Sequence, residues 1–99
     1  MKTHVKVAAS VEAFVKAQAP EPRRRLTRAI KALARNQGDT KPLEGRLAGY
    51  SRLRVGGYRV LYSERAERGK RVIECVFAER RAVVYEIFEK LLAQELGGE

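Results

Sequence analysis

Residues 50–63 read YSRLRVGGYRVLYS, with a Gly-Gly pair at positions 56 and 57. Two runs that alternate apolar and polar residues flank a Gly-Gly pair, which is the pattern of a β-hairpin with a two-residue turn. With the glycines in the turn, Val55 lies opposite Tyr58 and Arg54 lies opposite Arg59. One face of the hairpin is then apolar and is predicted to pack on helices: Leu53, Val55, Tyr58, Val60 and Tyr62. The other face carries Arg52, Arg54, Arg59, Leu61 and Ser63.

The facing arginines indicate an anion site. Like charges directly opposite each other on a sheet are unfavourable by up to about 1 kcal/mol per pair. A bound anion would offset this cost, and an RNA phosphate is the natural candidate. The alternative is an exposed sheet face with solvated arginines, on which Glu74 neutralises one of them. We favour the anion site because a single glutamate does not balance three or four arginines.

The N-terminal part is predicted to contain one strand and two helices. Val5 and Val7 alternate with polar residues, which is typical of a short strand. A helix is predicted over Ser10–Ala19, with Ser10 as its N-cap. Two prolines then prepare a second helix that runs to about Asn36, with Gly38 as its C-cap. The two helices are predicted to form an antiparallel hairpin.

The remainder is predicted to add one strand and one helix. We expect loops over Asp39–Ala48 and Glu64–Lys70, a strand over Arg71–Ala78, and an amphipathic helix from Arg81 onward that Gly97-Gly98 ends. In the strand, Ile73, Cys75 and Phe77 are predicted to face the core. The order β-α-α-β-β-β-α predicts one α+β domain over residues 1–99. Its sheet is mostly antiparallel with helices on one face, an N-terminal helical hairpin and a C-terminal helix.

The composition favours a nucleic-acid-binding protein. Lysine and arginine total 21 against 12 acidic residues, and the formal net charge is +9. Such a charge on a small domain points to nucleic acid or an acidic partner. The single cysteine, Cys75, excludes an intramolecular disulfide, and one cysteine with one histidine does not make a zinc site. We expect no metal, no cofactor, no membrane span and a cytoplasmic location.

A second group of candidate residues lies near the start of the last helix. Arg81 and Tyr85 are four residues apart, which places both on one helix surface that overhangs the arginines of the sheet. The helix N-terminus adds a favourable potential for phosphate. Arg80 is predicted to be a rim contact or a solvated residue. Tyr85 has an alternative role as a half-buried aromatic beside Phe88, and spacing does not choose between the two.

Three segments together resemble the RelE/ParE toxins of bacterial toxin–antitoxin systems. They are KPLEG at residues 41–45, YSRLRVGGYRVLY at residues 50–62 and FAERRAVVY at residues 77–85. The likeness extends over nearly the whole chain, including the order of elements. It implies a single RelE-like toxin domain that cleaves mRNA in the ribosome without a metal. The 2′-hydroxyl of the RNA would attack the adjacent phosphorus and leave a 2′,3′-cyclic phosphate. The implied partners are the ribosome, mRNA and a cognate antitoxin.

The resemblance also implies roles for individual residues. Arg59 corresponds to the hairpin arginine that binds the scissile phosphate, Arg81 to a second catalytic arginine, and Tyr85 to the helix tyrosine that is the candidate base. Arg52 and Arg54 stand where related toxins carry basic residues, often lysines. Together with Arg80 they are the expected RNA-binding residues.

The chain also departs from the pattern of the family. Some relatives use a histidine or lysine near the site, whereas His4 is the only histidine here and lies in the first strand. Glu79 stands where many relatives have a basic residue, and it is a possible general base, an orienting residue or a carboxylate without a catalytic part. Two alternatives to the nuclease stay open: a ParE-like DNA gyrase inhibitor without nuclease activity, and an inactive protein that binds RNA or antitoxin.

Overall fold

The computed structural model describes the backbone of residues 2–97 and the side chains of residues 2–95. Gly98, one of the two glycines predicted to end the last helix, lies outside the described residues. The elements are β1 Thr3–Val7, α1 Ala9–Lys16, α2 Pro20–Ala32, β2 Asp39–Pro42, β3 Ser51–Val55, β4 Tyr58–Glu67, β5 Lys70–Arg80 and α3 Val84–Gly97. This arrangement confirms the predicted α+β class. None of the helices between residues 2 and 97 has the length and apolar character that crossing a bilayer requires.

The strands form one five-stranded sheet in the order β1-β5-β4-β3-β2. β1 runs parallel to β5, whereas the β5–β4, β4–β3 and β3–β2 pairs are antiparallel. The prediction of a loop over Asp39–Ala48 is wrong, because β2 forms the edge of the sheet there and a 3₁₀ turn follows at Gly45–Leu47. All four residues of β2 are exposed, so its sequence carries no alternating apolar signal.

The central hairpin has the predicted register. Val55 pairs with Tyr58 and Arg54 pairs with Arg59 across the Gly-Gly turn. Gly56 has a φ of +57°, in the left-handed region that favours glycine. The five residues of the predicted apolar face all pack with α1 and α2, where Val11, Val15, Leu26 and Ile30 are buried. The turn chemistry therefore fixes both the register and the buried face of this hairpin.

A β-bulge changes the facing of the last strand. Leu61 lies opposite Phe77 but the next residue, Tyr62, lies opposite Cys75, so that Val76 is an extra residue on β5. One extra residue reverses the alternation beyond it. Ile73 and Cys75 face α1 and α2 as predicted, but the prediction for Phe77 is wrong, because its ring lies with Leu61 on the other face.

The C-terminal helix covers that second face. Val84 and Phe88 of α3 are buried against Leu61, and the Phe88 ring stacks on Phe77 with centroids 5.7 Å apart. The prediction that all helices pack on one face is therefore wrong. The bulge turns Phe77 outward beside the fully buried Leu61, and these apolar side chains need a cover that α3 provides. As a result, α3 and the arginines of β3 and β4 lie on the same side of the sheet.

The distal end of the long β4–β5 hairpin replaces the predicted loop over Glu64–Lys70. The two strands continue to Glu67 and from Lys70, with Arg68 and Gly69 in the turn. Cross-strand ion pairs stabilise this polar ribbon, including Arg65 to Glu74 at 2.7 Å and Arg71 to Glu64 at 2.9 Å. Glu74 thus binds Arg65 near the distal end of β4. The predicted alternative required it to neutralise Arg52, Arg54 or Arg59 instead.

The helix ends also differ from the predicted ones. α1 stops at Lys16 rather than Ala19, and α2 gives way to a 3₁₀ turn at Leu33–Arg35. Asn36, with a φ of +58°, occupies the left-handed position after that turn, so it takes the part predicted for Gly38.

Ser10 is not the N-cap of α1. The helix begins at Ala9 with Ala8 as its N-cap, and the Ser10 hydroxyl donates to the Val76 carbonyl at 3.4 Å from an exposed position. We therefore expect Ser10→Ala to change the free energy of unfolding by less than about 0.5 kcal/mol, the range of ordinary surface substitutions. A true cap would cost about 1 kcal/mol. Urea denaturation of the two proteins measures the difference, and a loss above 1 kcal/mol would contradict the assignment.

Cys75 makes the free energy of unfolding fall as pH rises in the alkaline range. Its side chain is 0% exposed, and burial raises the pKa of the thiol to about 12. In the unfolded chain the thiol ionises near pH 8.5. Above that pH the unfolded state loses a proton that the folded state retains, so stability falls by up to about 1.4 kcal/mol per pH unit until the folded pKa is reached. Urea denaturation from pH 8 to about pH 10 should show this slope, and Cys75→Ala should remove it while leaving the slope of the other groups.

Candidate functional site

A row of charged side chains crosses four strands on the face that α3 also covers. The register places Asp39, Arg54, Arg59 and Glu79 side by side, from β2 to β5. The adjacent row consists of Lys41, Arg52, Leu61 and Phe77. We call the two rows the arginine face. The structure thus brings three of the predicted arginines and Glu79 onto one surface, with an acidic residue at each end of the first row.

Arg59 is the most buried charged residue of this surface. It is 7% exposed, and its Nη1 donates to the carbonyls of Gly56 at 2.9 Å and of Tyr58 at 2.8 Å. Among the side chains of residues 2–95, no carboxylate lies within 4.0 Å of its guanidinium. A buried cation without a counter-ion costs free energy that an anion would recover. The hairpin therefore holds a fixed positive charge ready for an anionic ligand.

Glu79 does not supply that counter-ion. It lies opposite Arg59 in register, but its Oε1 accepts a hydrogen bond from the backbone N–H of Arg80 at 2.9 Å. The carboxylate is thus turned towards the chain that leaves β5. Of the roles predicted for Glu79, this position agrees with a carboxylate that has no catalytic part at least as well as with a residue that orients an arginine.

Arg52 and Arg54 share one carboxylate. Arg52 Nη1 donates to the Asp39 carbonyl at 3.0 Å and to its Oδ1 at 3.2 Å, and its side chain is 18% exposed. Arg54 is 56% exposed and lies 3.9 Å from Oδ2 of the same aspartate. One negative charge serves two positive charges here, so the surface stays net positive. Sequence reasoning missed Asp39, because it lies in the strand that was predicted as loop.

The turn before α3 contacts the hairpin through the main chain. The Arg81 N–H donates to the Gly57 carbonyl at 2.9 Å, next to the residue that binds Arg59. The prediction that the helix begins at Arg81 is wrong, because β5 extends through Arg80 and α3 begins at Val84. Helical spacing therefore does not align Arg81 with Tyr85. Both Arg80 and Arg81 are exposed beside the hairpin tip.

Tyr85 lies in the first turn of α3 and is half-buried. It packs against the apolar cluster that contains Leu61 and Phe88. Because Leu61 is two residues from Arg59 on the same side of β4, the phenol belongs to the same side of the sheet as the arginine face. The structure therefore agrees with one alternative from the sequence, a half-buried aromatic of the Phe88 cluster, and places that cluster on the same side of the sheet as the arginine face.

Arg25 is a neighbour of the site that sequence reasoning missed. It projects from α2 to the tip of the hairpin, where a Cβ on Gly56 would run into its guanidinium. No sequence pattern distinguishes it from its neighbours Arg23 and Arg24, because only the packing of α2 on the sheet brings this position to the turn. His4, in contrast, lies on the edge strand β1, and residues 2–97 contain no group of three His, Cys, Asp or Glu placed to hold a metal ion.

Solved structures of proteins from toxin–antitoxin systems share this architecture. The chain is similar to one in the RelBE2 toxin–antitoxin complex from Mycobacterium tuberculosis, with 24% identity and a TM-score of 0.66 over 82% of this chain and 100% of that one. For the archaeal RelE–RelB complex from Pyrococcus horikoshii OT3 the identity is 27% and the TM-score 0.63, over 82% and 97% of the two chains. This protein has the fold of the RelE/ParE toxins.

A third solved structure agrees with this assignment. The YoeB/ParE toxin from Agrobacterium tumefaciens is 20% identical with a TM-score of 0.61, over 79% of this chain and 98% of that one. No family model and no curated protein sequence matches the chain. The resemblance to the RelE/ParE superfamily that the sequence motifs predict is confirmed by these structures.

Proposed function

We propose that this protein is the toxin of a toxin–antitoxin system and an endoribonuclease that cleaves mRNA on the ribosome, in the cytoplasm and without a metal. The observation that carries the proposal is Arg59, a nearly buried guanidinium without a carboxylate partner among the described side chains. Such a group suits the binding of a phosphate whose charge grows in the transition state. The solved complexes of similar toxins support the role of toxin.

The hydrogen bonds of Arg59 leave donors for the phosphate. A guanidinium has five N–H donors, and the two carbonyl contacts of Arg59 both use Nη1. No side-chain nitrogen or oxygen among the described residues is buried without a hydrogen-bond partner, so the remaining donors on Nε and Nη2 reach the surface. The two carbonyls thus fix the plane of the guanidinium. The parallel N–H groups of Nε and Nη2 are then available to bind two phosphate oxygens.

In the proposed reaction the 2′-hydroxyl attacks the adjacent phosphorus, and the bond to the departing 5′-oxygen breaks. Tyr85 takes the proton of the 2′-hydroxyl, and Arg59 and Arg81 stabilise the negative charge on the phosphorane-like transition state. The departing 5′-oxygen takes a proton from the solvent or from a ribosomal group. Arg52, Arg54 and Arg80 bind the flanking RNA backbone. Glu79 is the alternative general base.

The proposed partners follow from the charge of this surface. A net charge of +9 favours an acidic partner, and a cognate antitoxin would supply one in the resting state. The similar complexes contain RelB with RelE, which supports a partner of this class. In the active state the ribosome would position mRNA over the arginine face.

The test is to map the 5′ ends of mRNA in a reconstituted translation reaction with and without the protein. We expect cuts within translated codons, with 2′,3′-cyclic phosphate on the upstream fragments. Intact mRNA in cells that nevertheless stop growing would overturn the nuclease. The name of the Agrobacterium relative includes ParE, so a gyrase supercoiling assay belongs beside the mapping. Inhibition of gyrase with uncut mRNA would establish the alternative, a gyrase inhibitor.

A further inference from the structure

The outer surface of α2 carries a line of basic side chains. Arg24, Arg28 and Lys31 of α2 and Arg35 of the following 3₁₀ turn are all exposed and recur at intervals of four, three and four residues. This spacing places them on one side of the helix, opposite the buried Leu26, Ile30 and Leu33. We call these four residues the basic stripe. At 1.5 Å per residue it is about 16 Å long.

The charges of the basic stripe are not neutralised within the fold. No carboxylate among the side chains of residues 2–95 comes within 4.0 Å of any of the four. The one acidic residue of α2 is Glu21 in its first turn. The ribbon at the end of β4 and β5 is different, because Arg65 and Arg71 there bind glutamates. A row of unpaired charges at regular intervals on a rigid helix is therefore a distinctive feature of this surface.

The side chains of the basic stripe define the chemistry of its partner. Neither α2 nor the following 3₁₀ turn contains an aromatic residue, and their large apolar residues Leu26, Ile30 and Leu33 are buried. The centre of a protein–protein interface is instead rich in aromatic and apolar residues and poor in lysine. The lack of aromatic rings also leaves nothing on which the bases of single-stranded RNA would stack. Arginine and lysine alone recognise backbone phosphates. We propose that the basic stripe binds the phosphate backbone of double-helical RNA, as a second RNA site apart from the arginine face.

Arg25 connects this second site to the hairpin. It leaves α2 beside the stripe and reaches Gly56, whose carbonyl holds Arg59. RNA bound along α2 therefore lies next to the hairpin tip, although α2 and the arginine face are on opposite sides of the sheet. The inference goes beyond the proposed cleavage, because it concerns binding to a duplex that is not cut.

The experiment measures the binding of an RNA duplex of about 16 base pairs, the length that shape-reading double-stranded RNA domains span. The stripe variant combines Arg24→Gln, Arg28→Gln and Lys31→Gln, and glutamine keeps the helix propensity. The control variant combines Lys6→Gln, Arg68→Gln and Lys70→Gln, which removes the same charge from exposed positions at the far end of the sheet. Circular dichroism of both variants is the control for folding.

We expect the stripe variant to bind the duplex at least about tenfold more weakly at about 0.1 M salt. Its slope of log K against log salt should be shallower by about one for each lost phosphate contact, whereas the control should change little. An equal loss in both variants, or no loss in either, would overturn the proposal. Retained duplex binding with lost binding to polyglutamate would overturn it in favour of an acidic protein partner.

The same assay separates this proposal from the proposed function. The two readouts are independent, because the basic stripe lies on α2 and the arginine face lies on the other side of the sheet. If the native protein leaves mRNA uncut but the stripe variant loses duplex binding, the nuclease is wrong and the second site stands. If mRNA is cut but the stripe variant binds the duplex normally, the nuclease stands and the second site is wrong.

Discussion

Arg59→Ala is expected to lower the rate of mRNA cleavage by about 10²–10³-fold, the typical cost of removing one preorganised donor to a developing oxyanion. The expectation rests on the fixed geometry of the guanidinium, whose Nη1 is held by the Gly56 and Tyr58 carbonyls while its other donors are not fully buried. A single-turnover measurement on ribosomes stalled at one codon gives the rate. The matched control is Lys70→Ala, which removes the same charge from the exposed start of β5.

A second variant separates loss of charge from loss of geometry. Arg59→Lys keeps the cation but has a single ammonium group, which does not hold two carbonyls and two phosphate oxygens in one plane. We expect it to restore only a small part of the rate. Thermal denaturation of both variants reports whether the hairpin is intact. A folded Arg59→Ala protein that cleaves within about threefold of the native rate would remove the central observation behind the nuclease.

The part of the fold that the sequence predicts best is the part whose geometry is local. A Gly-Gly turn of two residues fixes which residues of β3 and β4 face each other, and the alternation of a strand then assigns every side chain to a face. For this reason Arg54 lies opposite Arg59 as predicted, and the apolar face of the hairpin packs on α1 and α2.

The features that sequence reasoning missed depend on contacts distant in the chain. The bulge at Val76 leaves no mark in a run of apolar residues, yet it turns Phe77 to the second face and so brings α3 there. β2 is a strand because β3 offers it hydrogen-bond partners, although its own residues are all exposed. A pattern of apolar residues indicates which side chains are buried. An exposed edge strand such as β2 has no buried side chains and therefore shows no such pattern.

The same distinction applies to the candidate site. The residue types and their shared face follow from the hairpin register, so the arginine face could be predicted. Three other features depend on how the sheet edge and α2 pack. They are the burial of Arg59, the sharing of the Asp39 carboxylate by two arginines, and the approach of Arg25 to Gly56. These contacts decide which arginine is free for an anion, and the alternation of residues along the strands does not reveal them.

Tyr85→Phe is expected to lower the cleavage rate by about 10²–10⁴-fold, the usual contribution of a positioned general base. The ring packs in the apolar cluster with Leu61 and Phe88, so phenylalanine keeps the packing and loses only the hydroxyl. The free energy of unfolding and the affinity for the ribosome should therefore stay close to the native values while the rate of the chemical step falls.

Tyr50 provides a matched control for this prediction. It is a second half-buried tyrosine of the same cluster, with its ring edge-on to Phe88 at 5.0 Å, and no catalytic role is assigned to it. Tyr50→Phe removes an equivalent hydroxyl and should leave the cleavage rate unchanged. If Tyr85→Phe cleaves at the native rate while Arg59→Ala is inactive, the phenol is not the base. Glu79, the alternative base, would then turn from the Arg80 N–H towards Arg59, which lies opposite it in register, and Glu79→Gln should abolish cleavage.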